Sequence, residues 1–157
     1  MSKETAYSIL FTLLQRNEDA AKYYKKLKGS LSLPELSDWV GDLIEHRESM
    51  ATTIRSFLEN TAPIPVRNKS REDTTSILHQ KWDKVEEALS HEKWLEIVRI
   101  CRQTEESLSS YYQTSLGSEG IAEGIRDLLQ QQHKKILEVN RKAERLETVP
   151  QQKDHKQ

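Results

Sequence analysis

The sequence predicts an all-α protein, an antiparallel four-helix bundle with one long crossover. Three observations carry that expectation. Apolar residues recur at helical spacing along four long stretches, and no alternating run reads as a strand. Glycine (five) and proline (four) are scarce among the 157 residues, and Gly29, Pro63, Pro65 and Gly117 fall between those stretches. One connection, between the second and third long helices, spans about thirty residues, far more than a helical hairpin needs.

The first helix is expected from about Lys3 to Lys28, with Ser2 able to cap its start and Lys25, Lys26 and Lys28 at the negative end of its dipole. Its inner stripe reads Ala6, Ile9, Leu10, Leu13, Leu14, Ala20, Ala21, Tyr24 and Leu27. Gly29 stops it. Ser32 and Glu35 have capping-box spacing, with Pro34 in the first turn of the second helix. That helix turns Leu36, Trp39, Val40, Leu43, Ile44, Met50, Ala51, Ile54, Phe57 and Leu58 inward. Asn60 to Ser70 reads as a loop, and Arg71 to Leu89 as a crossover helix with Ile77, Leu78, Trp82, Val85 and Leu89 on one side. The third long helix is expected from His91 to Leu116 and the fourth from Glu119, capped by Ser118, to about Glu147. Residues 1–147 therefore form the bundle, and the polar segment 148–157, with Pro150, reads as a disordered tail.

The crossover decides the topology. A helix of about 25–30 Å, at 1.5 Å per residue, can travel most of the length of a bundle. It delivers the third helix parallel to the second, which is the ferritin-like arrangement rather than simple up-and-down order.

Composition narrows the function. Twenty-four basic residues against 25 acidic give a net charge of −1, so nothing electrostatic favours a nucleic acid or an anionic membrane as partner. The single cysteine, Cys101, excludes an intramolecular disulfide or a cysteine zinc site, and its apolar neighbours predict a buried thiol. The apolar run Tyr7–Leu14 is too short to span a bilayer and continues into a charged helix, so it is not read as a signal peptide. The expected location is cytoplasmic.

A di-iron bundle needs Glu-x-x-His pairs aimed at its centre, since residues three apart share a helix face and can hold one ion. None is present. The nearest approaches are Glu45-x-x-Glu48 and Gln130-x-x-His133. Gln130 lacks the anionic oxygen to neutralise a cation, and periodicity turns Glu45 outward and Glu48 to the margin. His79, His91 and His155 have no second ligand at usable spacing and read as solvated. No serine or cysteine is found beside a base, and no glycine-rich phosphate loop occurs.

Closest to the centre of the four inner stripes lie Asn17, Arg47, Thr104 and Gln132, one from each long helix. A buried arginine needs a partner. Glu105 is the expected one, with Glu18 second, making a polar layer that fixes helix register. A weak internal echo suggests two structurally equivalent helices, as in a duplicated helical hairpin: Asn17-Glu18-Asp19 before Tyr23-Tyr24 resembles Thr104-Glu105-Glu106 before Tyr111-Tyr112, with equal Glu-to-Tyr intervals. Glu105 nevertheless lies on the inner shoulder of its helix and Glu18 nearer the edge of its own.

On these motifs the chain resembles an uncharacterised bacterial family of ferritin-like four-helix proteins, a domain of unknown function, over roughly Glu4 to Leu146. The family's Gly-Glu step in helix one is matched by Asn17-Glu18, and its Gly-Glu-Asp and Ala-Tyr steps in helix three by Thr104-Glu105-Glu106 and Tyr111-Tyr112. Its Glu-Arg pair falls on His46-Arg47 and its His-Asp pair near Asn140-Arg141, so both Glu positions and Arg47 are kept while other ligand types are replaced. The expectation is a non-enzymatic bundle, without cofactor, that associates with itself or with a partner protein. The alternative is a metal-binding protein with a degenerate di-iron set of Glu18, His46, Glu105 and His133, holding iron.

Overall fold

The computed structural model describes residues 3–61, 77–118 and 120–154. The described chain is all-α, in the order α1 (Lys3–Lys28), α2 (Pro34–Thr61), α3 (Ile77–Gln80), α4 (Trp82–Ser90), α5 (Trp94–Leu116) and α6 (Glu123–Asp154). Helices α1 and α2 pack antiparallel, as do α5 and α6.

The core lies in two clusters, one at each end. The first joins the C-terminal half of α1 (Ala20, Tyr24, Leu27), the start of α2 (Leu36 to Ile44), the start of α5 (Ile97 to Cys101) and the C-terminal part of α6 (Val139, Ala143). The second joins the opposite halves: Leu10 to Leu14, Met50 to Leu58, Leu108 with Tyr112, and Ile121 to Ile136. Helices α2 and α5 therefore start at the same end and run parallel. Asn17, Arg47 and Glu105 fall between the two clusters near the midpoints of α1, α2 and α5, and Gln132 joins them from the α6 segment of the second cluster.

The crossover packs on its own bundle. Leu78, Val85 and Ala88 are buried in the first cluster. Tyr23 of α1 meets the rings of His79 and Trp82, at centroid distances of 4.7 and 6.3 Å, and the Lys26 ammonium lies 4.3 Å from the centre of the Trp82 ring. Lys81 reaches Gln103 of α5 at 2.6 Å. Lys26 is exposed, and a cation–aromatic contact at such a site is worth about 0.5–1 kcal/mol.

Several boundaries differ from the sequence expectation. The crossover helix is two pieces, broken at Lys81, whose φ of −102° and ψ of 20° leave the helical region. Arg71–Ser76, most of the Asn60–Ser70 loop and His155 lie outside the described residues. Helix α5 begins at Trp94, because Glu92 takes a left-handed φ of 54°. The Lys93 N–H donates to Ala88 O at 2.8 Å and the Glu92 N–H to Leu89 O at 3.3 Å. That is a Schellman ending for α4, built on a glutamate where glycine is the usual signal. Helix α6 begins at Glu123 rather than Glu119: Gly120 has a φ of 78°, and Ile121 is buried before the helix starts. Arg126 fastens this turn by donating to the carbonyls of Leu116 and Ser118. The α6 backbone stays helical to Asp154, past Glu147, where the apolar repeat ends. Among the described residues no helix is long and apolar enough to cross a membrane.

Candidate functional site

The chemistry-bearing residues nearest the middle of the bundle form one connected layer. Arg47 and Glu105 are fully buried, with Asn17 beside them and Thr104 and Gln132 almost as enclosed. Helical periodicity puts them there: each occupies the apolar face of its helix, where the inward neighbours a turn away are leucine, isoleucine, methionine, alanine or cysteine. The residues connect as follows. The Gln132 amide donates to Met50 O at 3.2 Å, and the Tyr112 hydroxyl donates to Gln132 Oε1. Asn17 Nδ2 donates to the Tyr112 oxygen at 3.2 Å and to Leu13 O at 2.8 Å. Arg47 Nη1 donates to Asn17 Oδ1 at 3.2 Å. Arg47 Nη2 lies 3.6 Å from Glu105 Oε1, and Glu105 Oε2 accepts from the Tyr24 hydroxyl at 2.7 Å. Thr104 turns its hydroxyl back to Ile100 O at 3.0 Å and so satisfies itself within α5.

Three atoms of this layer make no hydrogen bond: Arg47 Nε, Arg47 Nη2 and Glu105 Oε1. At 3.6 Å the ion pair is a coulombic contact and not a hydrogen bond. An unsatisfied buried polar group costs roughly 1–3 kcal/mol, more when charged. The pair is therefore held by its surroundings, through Asn17 on one side and Tyr24 on the other.

The two tyrosines take their protonation behaviour from this position. Burial, then the Glu105 charge, raises the Tyr24 hydroxyl well above its ordinary value. Burial pushes Tyr112 up to about 12. A phenol that resists ionisation in the folded state but ionises near 10 when unfolded adds stability below about pH 10, and that stability is lost as the pH rises above it. Spectrophotometric titration of the protein and of its Tyr24→Phe and Tyr112→Phe variants checks this. At about pH 11 the variants should match the parent in phenolate absorbance, with the difference appearing only as helical circular dichroism is lost. A difference that appears while the helices persist would contradict it. Burial also raises the thiol of Cys101 far above its usual range, which keeps it a protonated, inert core residue.

The expected metal ligands are not brought together. Glu18 sits on the flank of α1 and pairs with Arg55 at 2.8 Å rather than with Arg47. His46 faces a shallow groove between α2 and α6 with Glu45, Ser49 and Lys135, and burial followed by the Arg47 charge lowers its pKa. His133 Nε2 contacts Ser109 Oγ at 2.9 Å, its ring parallel to that of Tyr112. Glu105 alone reaches the centre, and the cation beside it is Arg47. Among the described residues no group of three or more His, Cys, Asp or Glu side chains could hold a metal ion. In the Glu45-x-x-Glu48 and Gln130-x-x-His133 sequences, Glu45 and Gln130 are exposed, and Glu48 pairs with Lys25 at the surface.

The Ser109–His133 contact corrects the expectation that no serine lies beside a base. The two residues are 24 apart on different helices, so no local spacing announces them. The contact lies within α5 and α6, where the neighbouring backbone N–H groups are engaged in helical hydrogen bonds and so do not supply an oxyanion hole. The residues paired by the sequence echo sit differently in their two helices, as expected for Glu105 and Glu18. Glu105 and Tyr24 face the centre, while their counterparts Glu18 and Tyr111 lie on flanks, Tyr111 beneath the Arg16 guanidinium. Six residues turn a helix through about 240°, so equal intervals that start on different faces also end on different faces. Tyr24 is expected inside as part of an apolar stripe; that its hydroxyl and that of Tyr112 link the layer is something periodicity does not encode.

No protein-family model matches the chain, and no curated protein matches it significantly. What is shown is an all-helical bundle protein, and the resemblance to a ferritin-like family rests on the short motifs alone.

Proposed function

We propose that this chain is a non-enzymatic bundle of ferritin-like topology whose role is association, with itself or with a partner protein. The observation that carries this reading is the makeup of the bundle centre. The position that holds metal ligands in a di-iron bundle is filled here by Arg47, Glu105, Asn17, Tyr24, Tyr112 and Gln132, bonded to one another. A guanidinium at that point opposes a bound cation by like charge. The parallel course of α2 and α5, with two antiparallel hairpins, supports the ferritin-like topology.

The surface sets the character of the association. Leu137 is the one large apolar side chain exposed among the described residues. Contacts made through such a surface are polar and charged, as in reversible rather than obligate interfaces. Light scattering coupled to size exclusion over a range of concentrations tests the reading. The expected result is a mass rising above 18.3 kDa with concentration and falling again in high salt. A mass fixed at that of one chain throughout would remove self-association and leave only a partner protein.

A further inference from the structure

From the unpartnered atoms at the bundle centre we infer a binding site for a single buried water molecule, held between the Arg47 guanidinium and the Glu105 carboxylate. This goes beyond the association reading and does not depend on it. Arg47 carries five N–H donors and makes one hydrogen bond, from Nη1 to Asn17. Its Nε and Nη2 form the forked edge of the guanidinium, and neither makes a hydrogen bond. On the carboxylate, Oε2 accepts from Tyr24 while Oε1 accepts from nothing. Both side chains are fully buried, so bulk solvent does not reach these atoms.

The geometry selects the ligand. Nη2 and Oε1 are 3.6 Å apart, too far for a hydrogen bond and too close for a molecule to lie in line between them. A water at the apex of a triangle on that base reaches both atoms at about 2.9 Å, an ordinary hydrogen-bond length. From there it accepts from the guanidinium edge and donates to Oε1. The ligand has to accept and donate from one atom of small volume, in a place closed to solvent. Water does so, and two to four polar partners are what buried waters generally find. With it the chain of hydrogen bonds from Tyr24 to Gln132 runs unbroken across α1, α2, α5 and α6.

Oxygen-17 magnetic relaxation dispersion tests the inference on the full chain, because it counts waters that stay bound longer than the protein takes to tumble. The comparison is with an Arg47→Met/Glu105→Leu variant, in which both polar partners give way to apolar groups of similar length. The expected result is a dispersion amplitude in the parent larger by one long-lived water. Equal amplitudes would overturn the site. Should the variant fail to fold by circular dichroism, a crystal structure of the parent protein decides. A density peak within hydrogen-bond distance of Arg47 Nε or Nη2 and of Glu105 Oε1 supports the site. A direct, two-pronged Arg47–Glu105 contact with no such peak overturns it.

Discussion

Replacing Arg47 with alanine is expected to destabilise the protein by about 3–5 kcal/mol, close to the whole stability of many small domains. The loss has two parts. The Glu105 carboxylate would stay fully buried with Tyr24 as its only hydrogen-bonding partner. Asn17 Oδ1 would lose its donor as well, since Arg47 Nη1 is the group that reaches it. Urea unfolding followed by circular dichroism measures the effect. A cost below about 1 kcal/mol would mean that the guanidinium is not needed at the centre.

A second large effect is expected at the crossover. Leu78 is fully buried although it belongs to a helix of four residues, so its side chain, and not the helix, anchors that part of the connection. Leu78→Ala should cost about 2–5 kcal/mol through lost burial and the cavity left behind. Nearer the lower figure is expected, because α3 is short enough to settle inward. Hydrogen exchange should show amides of α3 and α4 losing protection first, before those of α1 and α2. A change under about 1 kcal/mol, with unaltered exchange in α4, would show that the crossover is not fastened through this residue. The ring contacts of Tyr23 with His79 and Trp82 would then be its main attachment.

How far the sequence could be read depends on which physical signal each feature leaves. Helix existence was legible throughout, because apolar periodicity over twenty or more residues is hard to mimic. The same periodicity set Asn17, Arg47, Thr104 and Gln132 on the inner stripes, and all four are buried. Burial of a charge then demands a partner, and Glu105 stands 3.6 Å away. Boundaries were less legible, because they rest on backbone conformations that residue type signals only by habit. Glu92 takes the left-handed position that glycine normally marks, and Lys81 breaks a helix that its side chain would suit. Contacts between helices were the least legible. The roles of Tyr24 and Tyr112 and the approach of Ser109 to His133 depend on relative helix rotation, which no spacing along one helix contains.

The layer also explains why a charged centre is compatible with a bundle. Two apolar clusters flank it, one toward each end, and apolar contact is non-directional, whereas charges and hydrogen bonds need particular partners. Arg47, Asn17, Tyr24, Tyr112 and Gln132 come from all four long helices and meet in one register only. A one-turn slip would separate the charges and strand them in the core, so the layer penalises misregistered packings.

The coupling free energy between Arg47 and Glu105, from a double-mutant cycle with alanine at each position, tests most directly whether this pair joins the helices at the centre. The account predicts that the double variant is no less stable than the worse single variant, a coupling of about 2 kcal/mol or more. Costs that simply add would contradict it, and would show two charges buried side by side without depending on each other.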